Sequence, residues 1–84
     1  MTPFEIYAEG VPLTPELFSA MCAAHDLTYS YSDDGNVWRQ GDQEFQLIKK
    51  ARQELGDSVA VPIWNAAVDK KLNAPYNTQY HWKE

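Results

Sequence analysis

Apolar residues recur along this chain with one strand-like pattern and several helical ones. Near the N-terminus Phe4, Ile6 and Ala8 alternate with more polar side chains ahead of a glycine. A period of two is typical of a half-buried strand. The sequence therefore predicts a short extended element at the start of the chain.

A first helix is predicted at residues 15–25. Thr14 suits the N-cap, Pro15 suits the first helical position because its missing N–H needs no partner there, and Glu16 complements the positive end of the helix dipole. An apolar stripe at helical spacing follows, made of Leu17, Phe18, Met21 and Cys22.

Two more helices are predicted, at residues 42–55 and 60–73. Asp42 is the expected cap of the first, and Gly56 is a natural stop. Pro62 fits only the first turn of a helix, so the last helix is expected to begin near it. The aromatic C-terminal tail is expected to dock as an extended segment, over the core or along the N-terminal strand.

Residues 28–39 allow two interpretations, because an alternating stretch is followed by the turn-forming residues 33–36. In the first, residues 37–39 return as the second arm of a hairpin. In the second, which we prefer, Ser32 caps a short helical turn that runs through Trp38.

These patterns together predict a single α+β domain over residues 1–84, mainly helical, with a short N-terminal strand. A chain of this length has room for one domain, and its 44% apolar content is typical of a folded protein. The expected core consists of Phe4, Ile6, Leu17, Phe18, Met21, Trp38, Phe45, Ile48, Ala51, Leu55, Trp64, Val68 and Leu72.

Charge is divided unevenly along the chain. Residues 1–38 contain six acidic and no basic residues, whereas residues 39–84 contain six acidic and seven basic ones. An acidic surface keeps a small protein soluble, and it also favours encounter with a basic surface on a partner. We expect the partner-binding site in the acidic, tyrosine-bearing stretch, at Asp26, Tyr29, Tyr31, Asp33 and Asp34.

The cysteine content and the apolar runs indicate a cytoplasmic protein without a membrane segment. Cys22 is the only cysteine and cannot form an intramolecular disulfide, which suits a reducing compartment. The N-terminus lacks the features of a signal peptide, and no run of about 18 apolar residues occurs. A homodimer is compatible with so small a core.

The sequence offers little to catalysis or to metal binding. Cys22 and His25 are three residues apart, but a tetrahedral site needs two more ligands, and we expect a buried thiol beside a surface histidine instead. Residues 33–44 have the length of a calcium loop, yet Val37 and Trp38 stand where a ligand and a glycine belong. We predict no enzymatic activity and no cofactor.

DNA binding is the alternative function. The helices at 42–55 and 60–73 are joined by a short turn, as in a helix-turn-helix. Against this, the second helix begins with apolar residues and the chain is net acidic, so direct contact with nucleic acid is the less favoured prediction. The basic residues available to it are Lys49, Lys50, Arg52, Lys70 and Lys71.

The segments YSYSDDGNVWRQG, IWNAAVDKKL and QYHW, with the short length and the acidity, resemble small accessory proteins of bacteriophages and mobile elements, the group that includes anti-CRISPR inhibitors. The resemblance implies stoichiometric binding to a host or competitor protein, without cofactor or turnover. The expected function is therefore a non-enzymatic protein–protein interaction module, whose partner presents a basic or nucleic-acid-binding groove.

Overall fold

The computed structural model describes residues 1–25 and 35–83, except the side chains of residues 35–41 and Tyr76. The described chain forms four α-helices, then a 3-10 turn, then a C-terminal tail at residues 80–83 without regular structure. The helices are α1 (Pro3–Ala8), α2 (Pro15–Ala24), α3 (Gly35–Leu55) and α4 (Asp57–Lys71), and the 3-10 turn is Tyr76–Gln79.

The prediction of an α+β fold with an N-terminal strand is wrong, since the described residues contain helices and no strand. The segment expected to be a strand is α1. Thr2 caps this helix, its side chain accepting a hydrogen bond from the Glu5 N–H at 3.2 Å. Phe4 and Tyr7, three residues apart, are both buried, whereas Ile6 is only half-buried. Burial therefore follows the helical period.

The prediction for α2 is confirmed to within one residue. Thr14 is its N-cap and accepts a hydrogen bond from the Leu17 N–H at 3.1 Å. At the other end His25 is the C-cap and has extended backbone angles. The chain thus leaves the helix at His25, immediately before residue 26.

The two remaining helices begin earlier than predicted. α3 starts at Gly35, so Asp42 lies inside it rather than capping it, and residues 37–39 are helical rather than a hairpin strand. The alternative cap, Ser32, lies outside the described residues.

A single residue, Gly56, joins α3 to α4. Its φ of 87° lies in a region that residues with a side chain rarely adopt, and its carbonyl accepts hydrogen bonds from the Val59 and Ala60 N–H groups. Helix α4 therefore begins at Asp57, which leaves Pro62 inside the helix rather than in its first turn. The prediction that the preceding helix stops at Gly56 is confirmed, since α3 ends at Leu55.

One buried cluster unites the helices. Most of the predicted core is confirmed. The prediction that Ile6 belongs to the core is wrong, because Ile6 is only half-buried and is not part of the cluster. The Trp38 side chain lies outside the described part of the molecule. Of the predicted residues, Phe4, Phe18, Met21, Ile48, Ala51, Trp64 and Val68 are buried, and Leu17, Phe45, Leu55 and Leu72 pack against them. Tyr7, Ala60 and Val61 are also buried but were not predicted.

The aromatic tail lies over the core, as one of the two predictions had it. The Trp82 ring stacks on the ring of Trp64 in α4, with centroids 4.4 Å apart and planes 6° apart. The other predicted site, an N-terminal strand, does not exist in the described chain.

Replacing Thr2 by valine distinguishes a helix from a strand at the N-terminus. The substitution should lower the free energy of unfolding if the segment is a helix and raise it if the segment is a strand. Valine keeps the shape of threonine and favours strands, but it cannot accept the hydrogen bond from Glu5. We expect Thr2→Val to destabilise the protein by about 1 kcal/mol, measured by urea unfolding. Thr14→Val, which removes the matching cap of α2, should show a loss of similar size. A stabilised Thr2→Val protein would contradict the helix.

Candidate functional site

The predicted partner-binding residues, Asp26, Tyr29, Tyr31, Asp33 and Asp34, all lie outside the described residues. The structure nevertheless describes both ends of the segment that carries them. Residues 26–34, here called the acidic segment, follow His25 directly and precede the first residue of α3. In the sequence, the acidic segment is therefore bounded by the C-terminal end of α2 and the N-terminal end of α3.

His25 holds the first of these ends. The expectation of a surface histidine is wrong, because the residue is only 1% exposed. Its Nδ1 lies 3.1 Å from Oε1 of Glu44 in α3. An ionised carboxylate only accepts hydrogen bonds, so Nδ1 is assigned as the donor. This contact ties the end of α2 to α3.

The imidazole also packs against aromatic rings from the other helices. Phe45 of α3 stacks on it at a centroid distance of 5.9 Å and an angle of 18°. Phe4 of α1 meets it edge-on at 6.5 Å, and Trp64 of α4 lies 6.2 Å away. All four helices therefore meet at one side chain. We call His25, Glu44 and these three rings the His25 cluster.

A lysine from α4 closes the end of α2. The Lys71 Nζ donates hydrogen bonds to the main-chain carbonyls of Cys22 and His25. The last carbonyls of a helix have no partner within the helix, and a cation there also complements the helix dipole. Lys71 thus does at the C-terminus of α2 what Thr14 does at its N-terminus.

Cys22, which lies about one helical turn before His25, has a buried thiol, as expected. It is 1% exposed, and burial raises the pKa of its thiol to about 12, with the charge of Lys71 opposing the shift to a smaller extent. The thiolate is the reactive form of cysteine, so this group is inert at neutral pH. Among the described residues no group of three or more His, Cys, Asp or Glu side chains could hold a metal ion.

The acidic side chains fall into two sets. Glu5, Glu9 and Glu16, here called the N-terminal acids, are exposed on or next to α1 and α2, and no described side chain pairs with them. Most described acids of the second half are paired instead. Glu44 contacts His25, Glu54 accepts from the Tyr7 hydroxyl at 2.7 Å, Asp57 pairs with Arg52, and Asp69 with His81.

An open groove of about 250 Å³ runs between α1 and α3. Apolar and polar residues line it together: Thr2, Phe4, Glu5, Ala8, Gln43, Glu44 and Leu47. Two acidic residues beside apolar surface suit a Lys or Arg side chain, which combines an aliphatic stem with a charged end. No sequence pattern indicated this groove, because the groove exists only when α1 is a helix.

The residues predicted for DNA binding are partly engaged inside the fold. Arg52 forms two hydrogen bonds with the Asp57 carboxylate, at 2.8 and 3.1 Å, and this contact holds the pKa of Asp57 below its usual value. Lys71 is bound to α2, whereas Lys49 and Lys50 lie over aromatic rings at the surface. DNA binding stays a prediction.

A second histidine contact, which the sequence did not indicate, holds the tail near the end of α4. Asp69 Oδ1 lies 2.7 Å from Nε2 of His81 and accepts a hydrogen bond from the Asn77 amide at 2.9 Å. These contacts, that of His81 first, hold the pKa of Asp69 below its usual value. Both partners are exposed enough for solvent to weaken the pair.

Comparisons with known proteins add no relative. No protein-family model, no curated protein sequence and no solved structure matches the chain. In the described part of the chain, no helix combines the length and the apolar character needed to cross a membrane.

Replacing Lys71 by methionine tests its role at the end of α2. Methionine keeps much of the aliphatic stem but donates no hydrogen bonds to the Cys22 and His25 carbonyls. We expect Lys71→Met to destabilise the protein by about 1 kcal/mol, measured by urea unfolding. Lys70→Met is the matched control, since Lys70 is an exposed neighbour on the same helix, and it should change stability little. Equal effects of the two substitutions would contradict the capping role.

Proposed function

We propose that this protein is a non-enzymatic protein–protein interaction module whose acidic side binds a basic surface of its partner. In this proposal, the acidic side means the N-terminal acids together with the acidic segment, which follows α2 in the sequence. Its binding is stoichiometric, and it needs neither a cofactor nor turnover. The resemblance to phage accessory proteins agrees with this role and suggests a host or competitor protein as the partner.

The observation that carries this proposal is the unequal pairing of the acids. Four acids of the second half are engaged within the fold, whereas the N-terminal acids face solvent without a described partner. Exposed charges that have no internal partner contribute little to folding stability. They do set the electrostatic field that an approaching protein meets, and that field steers association and selects the partner.

The groove between α1 and α3 gives this acidic side a place for a specific contact. Glu5 stands at the groove as one of the N-terminal acids, and Glu44 stands there as part of the His25 cluster. A Lys or Arg side chain of the partner would gain charge-assisted hydrogen bonds in it. The long-range field and the groove therefore favour the same chemistry in a partner, which is a protruding basic side chain.

The test compares how tightly the wild-type protein and two charge-reversed variants bind the partner. The wild-type chain, immobilised, identifies the partner in a host lysate by mass spectrometry, and calorimetry with the purified partner then gives affinities. We expect Asp33→Lys/Asp34→Lys and Glu5→Lys/Glu9→Lys each to weaken binding by about tenfold or more. The melting temperature of Glu5→Lys/Glu9→Lys should stay nearly unchanged, because these acids lack described partners.

Asp42→Lys is the control for the single reversals Glu5→Lys and Asp33→Lys, which change the net charge by the same amount, because Asp42 is an exposed acid inside α3. It should bind with nearly the wild-type affinity, which separates a local contact from an effect of net charge. If both double variants bind as tightly as the wild type, the acidic side is not the binding surface.

A further inference from the structure

Three residues of the C-terminal tail are held to the helices through hydrogen bonds to their main-chain groups. Trp64 donates from Nε1 to the Tyr80 carbonyl at 2.7 Å. Asn65 accepts from the Trp82 N–H at 2.7 Å and donates to the Trp82 carbonyl at 3.0 Å, and Arg52 donates to the Lys83 carbonyl at 3.0 Å. Hydrogen bonds that end on main-chain atoms do not depend on the sequence of the segment they hold.

Asn65 also reveals the conformation of the segment that it binds. The N–H and C=O of one residue point to the same side only where the backbone is extended, as in a strand. One amide side chain reaches both groups of Trp82, so the backbone is extended at this residue. Peptide-binding domains use the same principle, with main-chain hydrogen bonds for affinity and side-chain contacts for selectivity.

The Trp82 ring of the tail makes side-chain contacts with several helices, and these contacts favour one type of side chain at this position. The Trp82 ring lies parallel to the Trp64 ring at 4.4 Å, and the Arg52 guanidinium lies over it at 4.6 Å. Phe18 adds a third contact, with centroids 6.4 Å apart. Stacking and cation–π contacts of this kind favour a large flat aromatic side chain. We call the surface formed by Phe18, Arg52, Trp64 and Asn65 the tail groove.

The tail groove is organised by the helices themselves. Arg52 is oriented by its two hydrogen bonds with Asp57, and Trp64 is fixed in the His25 cluster. Tyr80 and Trp82 of the tail are only partly buried and pack against the buried core. Helices α2, α3 and α4 supply the residues of the groove, and the tail occupies it.

We propose that the tail groove is a peptide-recognition site for an extended, tryptophan-bearing segment of a partner protein, and that the chain's own tail is its resident competitor. This site does not depend on the acidic side. A tethered tail has an effective concentration of about millimolar, so an incoming segment binds more weakly while the tail is in place. Docking of the partner segment releases the tail.

The experiment converts the tail into a separate peptide. A protease recognition sequence is inserted between Asn73 and Ala74, which are both exposed, and the cut tail is removed by gel filtration after mild dilution. The probe is a fluorescent peptide of sequence YNTQYHWKE, residues 76–84. Circular dichroism reports whether the helices remain, and fluorescence anisotropy reports whether the peptide binds.

We expect the trimmed protein to stay helical, to melt cooperatively and to bind the peptide in a saturable manner. The uncut chain should bind it about 100-fold more weakly, because its own tail competes. The Trp82→Ala substitution in the peptide should reduce the affinity about tenfold or more, and so should Asn65→Ala in the trimmed protein.

Three results would overturn the proposal. Loss of the helices on removal of the tail would make the tail a part of the core. Peptide binding that is indifferent to Trp82→Ala would show that the groove has no aromatic selectivity. A stable dimer of the uncut chain, in which the copies exchange tails, would assign the groove to a second copy instead of a partner protein.

Discussion

The buried imidazole of His25 lies where the four described helices meet. His25 ends α2, contacts Glu44 and Phe45 of α3, and meets one ring each from α1 and α4. A buried polar ring is costly unless its nitrogens are hydrogen-bonded. The Glu44 carboxylate meets this requirement at Nδ1, and it can do so only when the end of α2 lies beside Glu44 of α3. The contact therefore selects one arrangement of the helices as well as stabilising it.

Both proposed binding surfaces originate at the His25 cluster. The acidic segment follows His25 directly in the sequence, and Glu44 lines the groove between α1 and α3. Trp64 contacts His25 with its ring and also stacks on Trp82 in the tail groove. A small core thus supports two chemically different surfaces, one acidic and one aromatic. Movement of the cluster would disturb both.

Local signals predicted much of the helical structure, and the errors have identifiable physical causes. Thr14 and Pro15 marked the start of α2, and Thr2 and Pro3 form the same signature ahead of α1. In a six-residue element, however, the alternation of Phe4, Ile6 and Ala8 and the helical spacing of Phe4 and Tyr7 are both too short to be told apart. Gly35 and Asn36 are weak helix formers, so the early start of α3 contradicts local propensity. The burial of His25 depends on rings from three other helices, and nothing in its sequence neighbours indicates it. The acidic candidate site rests on the sequence alone.

The position of the proton on the His25 ring shows whether the hydrogen bond from Nδ1 to Glu44 exists in solution. Long-range nitrogen–proton NMR spectra distinguish the two ring nitrogens and show which of them carries a proton. Because the Glu44 carboxylate accepts the hydrogen bond at Nδ1, a proton should reside on Nδ1 at neutral pH, and replacing Glu44 by alanine should change that signal. A neutral ring protonated only on Nε2 would contradict the account, since Nδ1 would then have no hydrogen to donate to α3.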